Sequence, residues 1–362
     1  MVENLPLGVL SAIGSTPLVE LRRLVPDAPF RLYAKLEGMN PGGSMKDRAA
    51  FSMLGGLIAD GTIVPGRSVV VESSSGNLAI GLAQVCCYFG VRLICVVDPR
   101  TTENNVAILR AYGAEVDMVT EVDPETGEFL PERLRRVRRL VSRIPHAYWP
   151  NQYGNLLNAR AHERTMSEIA ESLAGQVDYL FVATSSCGTL RGCADYVRRA
   201  GLGTRIVAVD AQGSGIFGPP TGSRRIPGHG AAMPPALLVP DLADEVTLIG
   251  DGDCVRGCRQ LVASEAILAG GSAGAVVAAL LAHRHRIPAG ANCVLILADR
   301  GDRYLDTVYC DTWVRDRLGL DLAATPDPFH LLAGTATEPS FGLADPVSEL
   351  PSDFDHKEPA PC

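Results

Sequence analysis

Short apolar runs rich in β-forming residues alternate with helical patterns along most of the chain. The strand candidates are residues 32–36, 68–72, 92–97, 115–119, 179–183, 205–210 and 292–297. The helix candidates are residues 46–60, 77–89, 103–112, 131–144, 156–172, 189–199, 253–265 and 274–283. Because parallel strands buried on both faces read as continuous apolar runs, this order predicts a doubly wound α/β protein with mainly parallel sheets.

The length of 362 residues is sufficient for two domains. A break near Tyr148, Trp149 and Pro150 separates two α/β units. We expect residues 1–36 and 148–320 to form a larger domain, and residues 37–147 a smaller one. Residues 321–362 are rich in Pro, Ala, Thr, Ser and Asp with little periodicity, which predicts a flexible C-terminal tail.

The formal net charge of -8 argues against nucleic acid and anionic membranes as partners. The apolar runs are too short to span a bilayer, and the first residues do not resemble a secretion signal. We therefore expect a cytoplasmic protein. Its ten cysteines form no C-x-x-C pair and lie away from histidines at ligand spacing, so buried free thiols are expected, with neither disulfides nor a metal site.

Lysine is rare in this chain, which restricts any chemistry that needs a primary amine. Of 33 basic residues only Lys35, Lys46 and Lys357 are lysines. Lys46 follows the Pro41-Gly42-Gly43 turn and opens a helix, where desolvation and the helix dipole both lower the pKa of an amine. A solvated lysine at a helix start is the alternative, but Lys46 has the most suitable setting of the three.

Three further segments place small or polar residues at the start of a helix. Two follow apolar strands and can bind an anion through backbone amides and hydroxyls, and the third lets a flat ring approach the backbone. Each also fits a simple N-cap, Ser272 included. None matches G-x-x-x-x-G-K-[ST] or G-x-G-x-x-G. The three segments are Ser73, Ser74, Ser75, Gly76 and Asn77; Ser185, Ser186, Cys187, Gly188 and Thr189; and residues 269–274 around Ser272.

Together these four motifs resemble the fold-type II pyridoxal phosphate family that contains cysteine synthase. The resemblance runs from about residue 13 to residue 305. Within that family the chain is similar to the synthases of N-(2-amino-2-carboxyethyl)-L-glutamate, which supply 2,3-diaminopropionate to siderophores and peptide antibiotics. Residues 72–77, 151–153, 209–218 and 299–306 carry this narrower similarity.

The resemblance implies a role for each motif and a cleft between the domains for pyridoxal 5'-phosphate. Lys46 would be the Schiff-base lysine, Asn77 would bond the ring hydroxyl and Ser272 would face the pyridine nitrogen. Residues 185–189 would hold the phosphate, and residues 73–76 with Gln152 would bind the substrate carboxylate. Cysteine synthase has more glycine in its phosphate loop and a threonine after the asparagine, where this chain has Leu78. A homodimer is the family's usual assembly.

The implied reaction is β-replacement, in which O-phospho-L-serine and L-glutamate condense and phosphate leaves. Both substrates are anions, so arginines must assist. The candidates are Arg48, Arg191, Arg224, Arg225, Arg300 and Arg303, of which Arg224 and Arg225 in a Gly/Pro-rich loop are preferred. Three alternatives stay open: an O-phosphoserine or O-acetylserine sulfhydrylase, a serine dehydratase, and a non-catalytic scaffold that kept the fold.

Overall fold

The computed structural model describes residues 7–125, 127–222 and 224–320. Its larger sheet has six strands in the order β1-β2-β10-β7-β8-β9. All neighbours are parallel except β1 and β2. The strands are β1 (Leu18–Glu20), β2 (Arg31–Leu36), β7 (Tyr179–Ala183), β8 (Arg205–Ala211), β9 (Glu245–Ile249) and β10 (Asn292–Leu297).

The smaller sheet has four parallel strands in the order β5-β4-β3-β6. They are β3 (Val69–Glu72), β4 (Arg92–Val97), β5 (Glu115–Met118) and β6 (Ala147–Tyr148). Every residue of β3 in this sheet and of β10 in the larger one is buried. Both strands are therefore covered on their two faces, as the continuous apolar runs require.

Helices connect these strands and cover the sheets. They are α1 (Lys46–Ala59), α2 (Asn77–Phe89), α3 (Glu103–Ala111), α4 (Phe129–Arg143), α5 (Leu156–Ser172), α6 (Gly188–Ala200), α7 (Asp251–Glu265), α8 (Gly271–His283) and α9 (Asp311–Leu318). Helices α2, α6 and α8 carry the predicted motifs at their N-terminal ends. None of the helices in the described ranges is both long and apolar enough to cross a membrane.

The predicted α/β class with mainly parallel sheets is confirmed. Strands β1, β6 and β9 and helix α9 were not predicted. Strands β1 and β6 have three and two residues, too few for a periodic signal, and β9 lies at a sheet edge with Val246 and Leu248 exposed. Helix α8 begins at Gly271 with Gly270 as its N-cap, so Ser272 lies inside the first turn and the N-cap interpretation of Ser272 is wrong.

The division into two domains stays a proposal. The smaller sheet draws all its strands from residues 69–148, and the larger sheet draws its strands from the chain on either side. This distribution supports two units of this kind, but β6 lies across the proposed boundary at residues 147–148. The predicted tail, residues 321–362, lies outside the described residues.

Candidate active site

A cavity of about 240 Å³ opens where strands from both sheets end. The loops that follow β3, β7 and β10 all contribute to its wall, as expected for a ligand site at the carboxyl ends of parallel strands. Its lining contains Lys46, Gln152, Ser272 and both predicted polar loops, residues 73–77 and 185–189. Segments far apart in sequence therefore meet in one cavity.

Lys46 is the first residue of α1, and its side chain lines this cavity. Burial lowers the pKa of its amine, although the carboxylates of Asp299 and Glu37 act in the opposite direction. Removal from water disfavours the ammonium form, so a larger share of the amine is neutral and nucleophilic. The structure thus gives Lys46 the chemical setting that a nucleophilic lysine needs.

Lys35 has a different place, in a buried cluster of charges. Its Nζ donates to Glu168 Oε2 at 2.7 Å and to the Thr16 carbonyl at 2.6 Å, and the residue is 1% exposed. Arg48, two residues after Lys46, pairs with both Glu168 and Glu37 at 2.7 Å. This cluster ties α1 to the larger sheet and to α5, and it holds the amine of Lys35 with two buried partners.

The pKa of Glu168 is lowered by its partners in this cluster. Burial alone would raise that pKa, but the hydrogen bonds from Arg48 and Lys35 outweigh burial and lower it to about 2. Glu168 is therefore ionised at neutral pH and fixes the orientation of the first turn of α1.

The serine loop, residues 73–76, joins β3 to α2. Ser73 is fully buried, and its hydroxyl has no partner among the described residues. Ser74 Oγ accepts from the Ala79 amide at 3.2 Å. A buried hydroxyl without a partner beside a cavity is suited to a polar ligand, because leaving it unpaired costs about 1–3 kcal/mol.

Residues 185–189 wrap the N-terminal end of α6. Cys187, the N-cap of α6, has a φ of 60°, which is unusual outside glycine. The first turn of the helix follows it, and Gly188 and Thr189 of that turn line the cavity. A Cβ at Gly188 would lie 2.4 Å from Asn158 Oδ1, so glycine is required there. Free amides at a helix N-terminus, together with the hydroxyls of Ser185, Ser186 and Thr189, are suited to a phosphate group.

A hydrogen-bond network closes the opposite wall of the cavity. Asp299, at the end of β10, accepts from Asn77 Nδ2 at 2.7 Å and from the Tyr304 hydroxyl. Arg303 donates to Asn77 Oδ1 and to the Gly42 carbonyl. Asn77 therefore has protein partners on both of its polar atoms and keeps one N–H for a ligand. Ser272, 6% exposed, contributes a neutral hydroxyl to the lining.

The preferred arginines do not line the cavity. Arg224 Nη1 donates to the His229 carbonyl at 3.3 Å, and Arg225 lines a separate surface depression with Arg256 and Arg317. Arg100, Arg133 and Arg303 line the cavity instead. Arg133 is 8% exposed and pairs with Asp98 at 2.8 Å, while its Nε has no partner in the described part of the chain.

The remaining arginine candidates also have other partners. Arg48 belongs to the buried charge cluster, Arg191 pairs with Asp195 at 2.7 Å, and Arg300 pairs with Asp302 at 2.9 Å. Of the six candidates, only Arg303 lines the cavity.

These residues fit pyridoxal phosphate as a group. The amine of Lys46 suits the cofactor's aldehyde, and the N-terminal end of α6 suits its phosphate. The hydroxyl of Ser272 suits the ring nitrogen, and the free N–H of Asn77 suits the ring hydroxyl. Over the described ranges, no group of His, Cys, Asp and Glu side chains is arranged to hold a metal ion. Of the nine cysteines there, seven are buried and all are free.

Several residues of the site were not identified from the sequence. Arg100 and Arg133 stand among many other arginines, and no local pattern distinguishes them. Asn158 donates to the Gln152 carbonyl at 2.9 Å and to Ser186 Oγ at 3.3 Å from the middle of a sequence that reads only as helix. Asp299 could have been found, since it directly follows an apolar strand, as the two polar loops do.

Comparisons with known proteins identify the family. The model of the family described as "Pyridoxal-phosphate dependent enzyme" matches residues 9–299. N-(2-amino-2-carboxyethyl)-L-glutamate synthase of Ralstonia nicotianae is 45% identical over 328 residues, which cover 89% of this chain and 96% of that relative. The enzyme of the same name from Cupriavidus metallidurans is 45% identical over 310 residues, covering 84% and 90%. The crystal structure of O-ureido-L-serine synthase superposes with a TM-score of 0.77 at 30% identity, covering 90% of this chain and 98% of that one.

Proposed function

Because the chain belongs to the family of pyridoxal-phosphate dependent enzymes, in which it acts as a β-replacement synthase, we propose that it condenses O-phospho-L-serine with L-glutamate. The products are N-(2-amino-2-carboxyethyl)-L-glutamate and inorganic phosphate. In the reaction the Cβ–O bond of phosphoserine breaks, and the glutamate nitrogen forms a Cβ–N bond and loses a proton.

The observation that carries this proposal is that Lys46 and three arginines line the same cavity. The chain is also 45% identical to two synthases of that product. Phosphoserine and glutamate bring several negative charges to a protein whose net charge is -8. Arg100, Arg133 and Arg303 supply positive charge locally, where the overall field is unfavourable.

Lys46 provides the acid–base chemistry in this proposal. Bound in the cavity, pyridoxal phosphate supplies the electron sink that makes the α-proton of an amino acid acidic. The amine of Lys46 removes that proton and later returns it, for which its lowered pKa is suited. The serine loop and Gln152 hold the substrate carboxylate, so that the α-carbon stays within reach of Nζ.

Ser272 favours β-replacement over transamination. A neutral hydroxyl beside the ring nitrogen would not hold that nitrogen protonated, as a carboxylate would. With Ser272 at that position, loss of phosphate from the β-carbon would be favoured over transamination. Residues 185–189 line the cavity and would hold the cofactor's phosphate, and the free N–H of Asn77 would bond the ring hydroxyl.

Mass spectrometry of the product tests this function. Phosphoserine with glutamate is expected to give the condensation product and one equivalent of phosphate, and a Lys46→Ala variant provides the blank. Cysteine formed with sulfide, at a rate above that with glutamate, would favour the sulfhydrylase. Pyruvate and ammonia formed without any second substrate would favour the dehydratase. A purified protein without visible absorbance after added cofactor would favour the scaffold.

Assembly, location and pathway complete the proposal. We propose a homodimer in the cytoplasm that supplies 2,3-diaminopropionate to a siderophore or peptide antibiotic. Light scattering of the purified protein measures the assembly, and a monomer at micromolar concentration would contradict it.

A further inference from the structure

Glu72 is a buried carboxylate that the proposed reaction does not use. It is the last residue of β3, is 0% exposed and does not line the cavity. Burial raises its pKa, and hydrogen bonds from Trp149, Ser73 and Gln152 oppose that rise. A buried carboxylate is costly unless its oxygens are hydrogen-bonded, so these donors must be what keeps it in place.

The donors to Glu72, among which the Asn151 amide also counts, come from both arms of the proposed carboxylate site. Oε1 accepts from the Ser73 amide at 2.8 Å and from the Trp149 indole N–H at 3.0 Å. Oε2 accepts from the Gln152 amide at the longer distance of 3.4 Å. Ser73 opens the serine loop, and Gln152 faces the same cavity from the segment that follows β6.

The backbone of that second segment is shaped for this contact. Asn151 has a φ of 51°, a left-handed conformation that asparagine tolerates better than most residues, and it turns the Gln152 amide towards Glu72. The Asn155 side chain fixes the same turn by donating to the Pro150 carbonyl at 2.8 Å.

Trp149 extends the contact to helix α4. The guanidinium of Arg138 on α4 lies 5.9 Å from the centre of the Trp149 ring, while the indole N–H points to Glu72. The same helix carries Arg133 into the cavity. A displaced indole would therefore shift the serine loop and α4 together.

We propose that Glu72 is a positioning residue that holds the serine loop and the Gln152 segment in one geometry, and thereby sets the affinity for the substrate carboxylate. The proposal rests on the proposed function only in assigning those two segments to an amino-acid carboxylate. It does not depend on which nucleophile reacts.

Two variants disturb different hydrogen bonds of Glu72. In Glu72→Gln the amide oxygen still accepts from Trp149 and Ser73, but the amide NH₂ opposes the Gln152 N–H. In Trp149→Phe the indole donor is lost, while Glu72 keeps its bonds to Ser73 and Gln152. Glu72→Gln is made in a Trp313→Phe background, because Trp149 and Trp313 are the two tryptophans of the chain and the emission then reports Trp149 alone. Trp149→Phe is made in the parent chain.

Binding to the holoenzyme is followed by its visible absorbance in every variant, and by Trp149 emission in Glu72→Gln and its Trp313→Phe parent. Phosphoserine and phosphoethanolamine differ only in the carboxylate, so the second is the matched ligand. Glu72→Gln is expected to weaken phosphoserine binding roughly tenfold, to leave phosphoethanolamine binding unchanged and to shift the Trp149 emission. Trp149→Phe is expected to weaken phosphoserine binding less, because the bonds from Ser73 and Gln152 to Glu72 remain.

Three results would overturn the proposal. One is equal weakening of both ligands, and another is unchanged phosphoserine affinity in Glu72→Gln. The third is loss of cofactor content and of the thermal transition in both variants, which would make Glu72 a residue of the fold alone. Failure to form product with glutamate, with the carboxylate-specific loss intact, would instead count against the proposed function only.

Discussion

The carboxylate of Asp299 accepts a hydrogen bond from the Asn77 amide at 2.7 Å and thereby joins the end of β10 to the start of α2. The two residues are 222 positions apart in sequence and follow strands of different sheets, β3 and β10. Tyr304 donates to the same oxygen, and Arg303 donates to Asn77. This contact presents the free N–H of Asn77 to the cavity.

Asn77→Ala should therefore lower both stability and cofactor affinity. The substitution leaves Asp299, which is 4% exposed, with one donor fewer, and the expected loss is about 1–3 kcal/mol. Urea unfolding of the apo- and holoprotein measures it. Tyr304→Phe removes the other donor and is the matched control, because it should lower stability with a smaller effect on cofactor affinity. Equal effects of the two variants on the cofactor would contradict a special role of Asn77.

Borohydride reduction of the holoenzyme should tag Lys46. Lys35 is held by Glu168 and the Thr16 carbonyl in a buried charge cluster, so its amine cannot reach the cavity. Peptide mapping after reduction identifies the modified lysine. Lys46→Arg should abolish the tag and the activity while the fold remains, as shown by circular dichroism. A tag on another lysine would refute the site as described.

Arg133→Lys should weaken binding of the anionic substrates. Arg133 lines the cavity with an Nε that has no partner among the described residues, and lysine cannot reproduce its fork of donors. We expect the KM for phosphoserine or glutamate to rise about tenfold with a smaller change in kcat. Arg225→Lys is the control, since Arg225 lies outside the cavity and should leave both constants unchanged. The reverse pattern would restore the sequence-based preference for Arg225.

Asp47 should make stability depend on pH in the neutral range. Burial raises the pKa of Asp47 to about 7, against the hydrogen bond from the Gly42 amide at 2.5 Å. The native state therefore holds a proton that the unfolded chain has released, and stability falls as the pH rises from about 4 to about 7, by at most about 4 kcal/mol.

Asp47→Asn tests this dependence, because asparagine can still accept from the Gly42 amide and does not titrate. The variant's unfolding free energy should vary less between about pH 4 and pH 7 than that of the parent chain. Denaturant titrations at several pH values give both slopes. Identical slopes would show that Asp47 keeps an ordinary pKa in the folded protein.

The sequence was sufficient for the fold class, and it pointed to segments that the structure brings together in one cavity. Continuous apolar strands must be covered on both faces, which leaves few architectures other than a doubly wound one. Lys46 could be identified because so few lysines compete with it, and the two polar loops because each follows an apolar strand and opens a helix. These features depend on residues that are close together in the sequence, so a short sequence pattern is enough to predict them.

The tertiary structure decided which distant residues complete the site. Arg133 and Asn158 lie on helices whose sequences look like any other surface helix, and Arg225, in a promising loop, lines a different depression. The partners of Asn77 and Glu72 are likewise set by where β10 and β6 end in space. Such contacts join residues that are far apart in the sequence. They depend on strand order and helix packing, which a short sequence pattern does not predict.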